Sequence, residues 1–231
     1  MQLLRRNGPA MKATKPVRVW DAPTRLFHWL LVALMGFSWW SAETGAMDWH
    51  RLSGALLLGL LAFRLIWGFA GGSTARFGNF LRSPLKLLAY LRSDSQAPRT
   101  PGHNPLGGYS VAAMLLLLTV VIGTGLFAVD VDGIESGQLS HLVGFDGGRL
   151  AAEIHEIGFT LLQIAAGVHI LAILFYLLVR KRNLVTPMVT GKDRQIDDAR
   201  TALVTASPLH LVVAALIAAG LAWWAARGFP I

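Results

Sequence analysis

The sequence predicts an all-α integral membrane protein: a four-helix transmembrane bundle followed by a fifth, C-terminal transmembrane helix. Three observations predict it. Of the 231 residues, 54% are hydrophobic and only 15% charged, with a mean hydropathy of +0.50; soluble domains carry about 25% charged residues. The apolar residues gather into segments approaching or exceeding the roughly 20 needed to cross a bilayer. The loops between those segments alternate in charge.

Residues 1–16 form a basic tail without an apolar stretch of its own, so no cleavable signal peptide is expected and the first span acts as an uncleaved anchor. From Val17 to Thr24 the chain (VRVWDAPT) reads as more ordered, with Trp20 suited to the membrane interface and Asp21 or Thr24 to capping a helix. Span 1 covers 25–43 and carries His28 near its start, with Trp39 and Trp40 at its far end. A short loop with Glu43 and Asp48 leads to span 2, residues 50–70, which opens on His50 and holds Arg64 toward its end. Residues 71–104 are basic and include FLRSPLKLLAYLRS, an amphipathic stretch suited to the membrane surface. Span 3 covers 106–129. The loop from Asp130 to Ala152 is acidic, and span 4 follows at 151–179. After it comes a second basic loop carrying Arg180, Lys181, Arg182, Lys192, Arg194 and Arg200, and then, within 191–231, a fifth span at about Pro208–Ala226 with no histidine at membrane depth; His210 lies at its start. That last span reads as an appendage to a membrane domain covering 17–190.

Three segments are basic and two are acidic, in strict alternation. The positive-inside rule then places the N-terminus in the cytoplasm and the C-terminus in the periplasm of a bacterial inner membrane. The net charge of +8 is therefore a topology signal, and no nucleic-acid partner is inferred. With no cysteine there is no disulfide, no thiolate metal site and no c-type haem attachment motif.

Span 4 carries His155 and His169, fourteen residues apart. At about 100° and 1.5 Å per residue, both imidazoles lie on one helix face about 21 Å apart. Topology assigns depths to the rest. His28 and His169 fall on the cytoplasmic side, His50 and His155 on the periplasmic side. Two imidazoles on facing helices suit the bis-histidine ligation of a b-type haem iron. Two such haems, about 20 Å apart, make an electron path through the bilayer. A lone histidine in an apolar helix is usually an ordinary interior residue, but ionisable groups at membrane depth are costly, and four matched in depth point to ligation. The pairs are too far apart to share one copper or zinc ion.

Gly36, Gly54, Gly158 and Gly167 either make room for a porphyrin or serve ordinary helix packing. Arg64, about 9 Å inside its span, either meets a haem propionate or snorkels to headgroups. Arg25 and Arg51, beside ligands at the two faces, pose the same choice. Glu153, Glu156 and Gln163 either tune the haems or fill the bundle. His141 lies in an acidic loop that is either a solvated face or a docking surface for a cationic partner.

These stretches resemble the bacterial cytochrome b561 and nickel-iron hydrogenase b-type cytochrome family. The resemblance is carried by VRVWDAPTRLFHW (17–29), the pair His50–Arg51, GHNPLGGYS (102–110) and HEIGFTLLQIAAGVH (155–169), and spans roughly 16–190. It implies a four-helix haem-binding bundle with two haem b, ligated by His28 with His169 and by His50 with His155. It also implies electron transfer between membrane quinone (ubiquinone or menaquinone) and a periplasmic redox protein such as a cytochrome c or a hydrogenase or dehydrogenase subunit. A second copy of the chain is a further candidate partner. His103 and Asn104 of the GHNP turn become candidates for quinone or propionate contact. Two rivals stand beside this expectation: a stand-alone oxidoreductase that oxidises superoxide or reduces ferric ions and exchanges electrons with quinone, and a non-redox transporter or anchor. The fifth span and its loop depart from the four-helix form.

Overall fold

A computed structural model describes residues 16–81, 83–85, 88, 92, 102, 104–194 and 203–227. The chain is built almost wholly of helices: α1 (Ala22–Glu43), α2 (Met47–Ala70), the short α3 (Phe77–Phe80), α4 (Pro105–Phe127), α5 (Phe145–Leu178), the short α6 (Val185–Thr190) and α7 (Pro208–Ala226). A single antiparallel ladder pairs β1 (Val17–Arg18) with β2 (Lys192–Asp193). The surface stretch around residues 81–93 and His103 lie largely or wholly outside the described residues.

Local chemistry fixes the helix starts. Asp21 caps α1, its Oδ1 accepting from the Thr24 N–H at 2.8 Å, with Pro23 in the first turn. Asn104 caps α4 and Ser207 caps α7, each followed by a proline at the first helical position. Between α1 and α2 the chain reverses in three residues, and Gly45 takes the positive φ (69°) this turn requires. The fourth long helix starts at Phe145, six residues before the predicted boundary. Gly147–Gly148 reads as a loop, yet Gly148 is a packing glycine: a Cβ there would run into Val129.

Among the described residues four helices are long and apolar enough to cross a membrane: α2, α4, α5 and α7. α1, with 22 residues, is not among them, because Arg25, His28, Ser38, Ser41 and Glu43 dilute its apolar character. It runs back along α2 all the same. The core between α1, α2, α4 and α5 is formed by Phe27, Leu57, Leu61, Leu115, Leu118, Val121, Ile122 and Leu162. The closest helix pairs are α2 with α7, α4 with α5, and α1 with α2. α1 and α2 pack less extensively on α5, the helix bearing His155 and His169, than on each other, with Trp39 of α1 standing 6.4 Å from Phe159 of α5.

α7 is no loose appendage. It makes the most extensive helix contact in the molecule, against α2, burying Ala214, Ala218 and Ala225. A Cβ on Gly59 of α2 would lie 2.7 Å from the Ala218 carbonyl oxygen and 2.8 Å from the Ala222 Cβ. Small residues thus let the two backbones approach. Gly59→Val is expected to cost about 1–3 kcal/mol, the range for overpacking a close interface, read as a lowered melting temperature in detergent.

The basic segments gather at one end of the bundle. The Val19 and Trp20 N–H groups donate to the Gly191 carbonyl, at 2.8 and 3.2 Å, and the Ser73 N–H to that of Val204 at 2.9 Å. This joins the N-terminal strand, the loop after α2 and the loop before α7. Trp20, expected at the interface, is instead buried there with Val19, because Val17 and Met188 close over them. At the other end the acidic loops meet: Arg51 pairs with Asp48 and, 84 residues on, with Glu135, while the Val129–Ser136 bridge closes the loop after α4.

Candidate functional site

At the acidic end, His50 at the start of α2 faces His155 of α5 with ring centroids 6.0 Å apart and planes at 87°. Each ring is held through Nδ1. His155 Nδ1 lies 2.7 Å from the Val121 carbonyl oxygen, and His50 Nδ1 lies 2.9 Å from the Ser38 carbonyl oxygen. A carbonyl oxygen only accepts, so both Nδ1 atoms carry the proton and both Nε2 atoms keep a lone pair. That is the tautomer of a metal-ligating histidine with its orienting partner in place. Metal–imidazole bonds of about 2.0–2.1 Å put facing nitrogens roughly 4 Å apart and ring centroids roughly 6 Å apart. The observed centroid spacing of 6.0 Å is of that order.

Toward the basic end, His28 of α1 and His169 of α5 are electrostatic neighbours. His28 Nδ1 is buried with no hydrogen-bond partner, and the ring stands edge-on to Trp29 at 4.9 Å. His50 and His155 thus stand face to face at one level of α5, while at the other His28 lies within electrostatic reach of His169. Among the described residues no three His, Asp or Glu side chains converge on a metal position. A centre held by two axial imidazoles, with its remaining ligands from a planar macrocycle, fits this donor set.

The glycines divide. A Cβ at Gly36, Gly54 or Gly167 would meet nothing within 4 Å, whereas one at Gly158 would lie 3.1 Å from Val121. Three of the four face open space and one serves close packing. A glycine without a signal in the sequence matters more: at Gly125 a Cβ would sit 2.8 Å from the His155 ring. Only a residue without a side chain leaves the imidazole its place.

The three arginines also separate. Arg51 is engaged by Asp48 at 2.6 Å and by Glu135. Arg25 donates from Nη1 to the Val189 carbonyl, fastening α6 beneath α1 together with the Trp29 indole, which donates to the Met188 carbonyl at 3.2 Å. Arg64 is 3% exposed, and its Nη1 has no hydrogen-bond partner. Asn104 has both ends committed: Oδ1 caps α4 through the Gly107 N–H at 2.6 Å, and Nδ2 donates to the Tyr176 hydroxyl at 2.9 Å. Its visible role is to tie α4 to α5. Glu153, Glu156 and Gln163 are exposed on α5.

The family described as prokaryotic cytochrome b561 matches residues 19–191. The chain belongs to that family. It is accordingly a membrane b-type cytochrome that binds haem b and transfers electrons. Comparison with curated proteins and with solved structures returned no match. The matched segment contains both histidine pairs and all three arginines, and it closes before α7, so the helix packed on α2 lies outside the part of this cytochrome that the family describes.

Proposed function

We propose that this cytochrome is a di-haem protein relaying electrons across a bacterial inner membrane, between a periplasmic redox partner and the membrane quinone pool. The meeting of four histidines in two pairs at two levels of one helix carries the reading. On it, His50 and His155 ligate one haem iron and His28 and His169 the other. Bound haem b supplies a one-electron couple at each level.

The chain's own residues do the rest. The Ser38 and Val121 carbonyls hold the His50 and His155 rings through Nδ1, leaving Nε2 as the atom that would ligate. The apolar core of α1, α2, α4 and α5 excludes water between the levels. Arg64, with an unpartnered Nη1, is the residue placed to receive a propionate of the haem at the basic end. α1 completes the bundle as a fifth crossing, supported by its packing along α2. The basic end then faces the cytoplasm by the positive-inside rule, and the N- and C-termini lie on opposite sides. The acidic end, where Asp132 and Asp146 are exposed, offers complementary charge to a cationic partner such as a cytochrome c.

The test is haem stoichiometry. The full chain, purified in detergent, should carry two haem b per polypeptide and show reduced-minus-oxidised bands for both. A folded chain carrying a single haem, or none, excludes the reading.

A further inference from the structure

α2 and α5 share an interval. His155 and His169 are fourteen residues apart on α5, and the residue fourteen beyond His50 on α2 is Arg64. Fourteen residues return a helix to within about 40° of the same face and advance it about 21 Å. Since His50 and His155 stand together at the acidic end and both helices run from there toward the basic end, equal helical rise carries Arg64 toward the level of His169. Where α2 presents an imidazole at one level, it presents a guanidinium at the other.

The two levels differ in charge. Arg64 is 3% exposed, its Cζ lies 4.9 Å over the Phe77 ring, and its Nη1 has no hydrogen-bond partner. Asp21 is the carboxylate that acts on it electrostatically, but among the described residues no ion pair forms between them. The Asp21 oxygens are instead occupied by the Thr24 N–H at 2.8 Å and the Trp67 indole N–H at 3.1 Å. At the acidic level the cation next to the ligand is Arg51, and two carboxylates, Asp48 and Glu135, outweigh it. Glu153 and Glu156 flank His155 with two more negative charges.

We infer that this asymmetry orders the two sites in reduction potential, the His28–His169 site above the His50–His155 site, and that Arg64 sets the gap. The inference rests on the di-haem reading. A ferric centre carries one more positive charge than a ferrous one. A buried cation therefore disfavours the ferric state, and nearby carboxylates favour it; charges in a low-dielectric interior act strongly. Should a propionate accept the Arg64 Nη1–H, losing the arginine leaves that carboxylate uncompensated, and the sign is the same. For one electron shared between the two sites, the favoured exchange leaves the iron at the acidic end ferric and the iron at the basic end ferrous. One electron moves, and no bond or proton changes hands. Electrons then run downhill from a donor at the acidic end to an acceptor at the basic end.

Spectroelectrochemical titration of the purified full chain tests this. Two midpoints are expected, and Arg64→Gln should lower the higher one by at least tenfold in the reduction equilibrium, about 59 mV for a one-electron couple. The lower midpoint should stay in place, and Arg64→Lys should keep most of the wild-type value. An independent arm uses Asp21→Asn, which removes the counter-charge and should raise the higher midpoint. Two retained haems with neither midpoint moved by Arg64→Gln, a shift confined to the lower midpoint, or a fall on Asp21→Asn would overturn the inference. A single haem per chain in the wild type would instead remove the di-haem reading beneath it.

Discussion

His155→Ala should leave this cytochrome with one haem per chain, the one at the basic end, and His169→Ala should leave the one at the acidic end. On the di-haem proposal the two variants are mirror images, because α5 would contribute one ligand to each level, with His50 of α2 and His28 of α1 as the partners. About 21 Å of helix separates the two α5 ligands, so losing one imidazole does not reach the other pair directly. Haem-to-protein ratio and reduced spectra, taken on folded material checked by circular dichroism, give the result. Loss of both haems from either folded variant would contradict independent sites. Retention of both would remove the altered residue as a ligand.

Gly125→Ala should selectively weaken haem binding at the acidic end. The new Cβ would fall 2.8 Å from Cε1 and Nδ1 of His155, too close for any real contact. The ring cannot turn aside freely, because its Nδ1–H is fixed to the Val121 carbonyl of α4, one turn before Gly125. Displacing it breaks that hydrogen bond or moves Nε2 off line. Overpacking of this kind costs about 1–3 kcal/mol, equivalent to a roughly five- to 150-fold loss in haem affinity. Haem transfer to an apo-acceptor protein would measure it, with loss from the His28–His169 level unchanged. Equal release from both levels would point to general destabilisation instead of a local clash.

The long helices were legible because a bilayer demands runs of apolar residues. The shared face of His155 and His169 was legible because fourteen residues is close to a whole number of helical turns. What escaped the sequence has physical reasons. The orienting partners of His50 and His155 are backbone carbonyls of Ser38 and Val121, and every residue has a carbonyl. Gly125 lies in an apolar run with several small residues, and only the approach of α5 distinguishes it. Gly148 reads as a helix breaker but permits close contact with Val129, which is why α5 begins earlier than expected. The Arg51–Glu135 pair joins residues 84 apart and follows from no local pattern. Asn104 was recognisable as a turn residue, and capping is the role it plays. Arg64 stood out as a charge in an apolar span, but its relation to His50 needed the pairing of α2 with α5 to become visible.

The packing of α7 on α2 also bears on how the chain assembles during synthesis. α2 leaves the ribosome long before α7, and its glycine- and alanine-lined flank around Ala55 and Gly59 is covered by that later helix. Until Pro208–Ala226 is inserted, that flank meets only lipid or another membrane helix. α7 therefore covers this flank only after the helices that carry the four histidines have been synthesised, so a chain interrupted before residue 208 would leave one docking seam open.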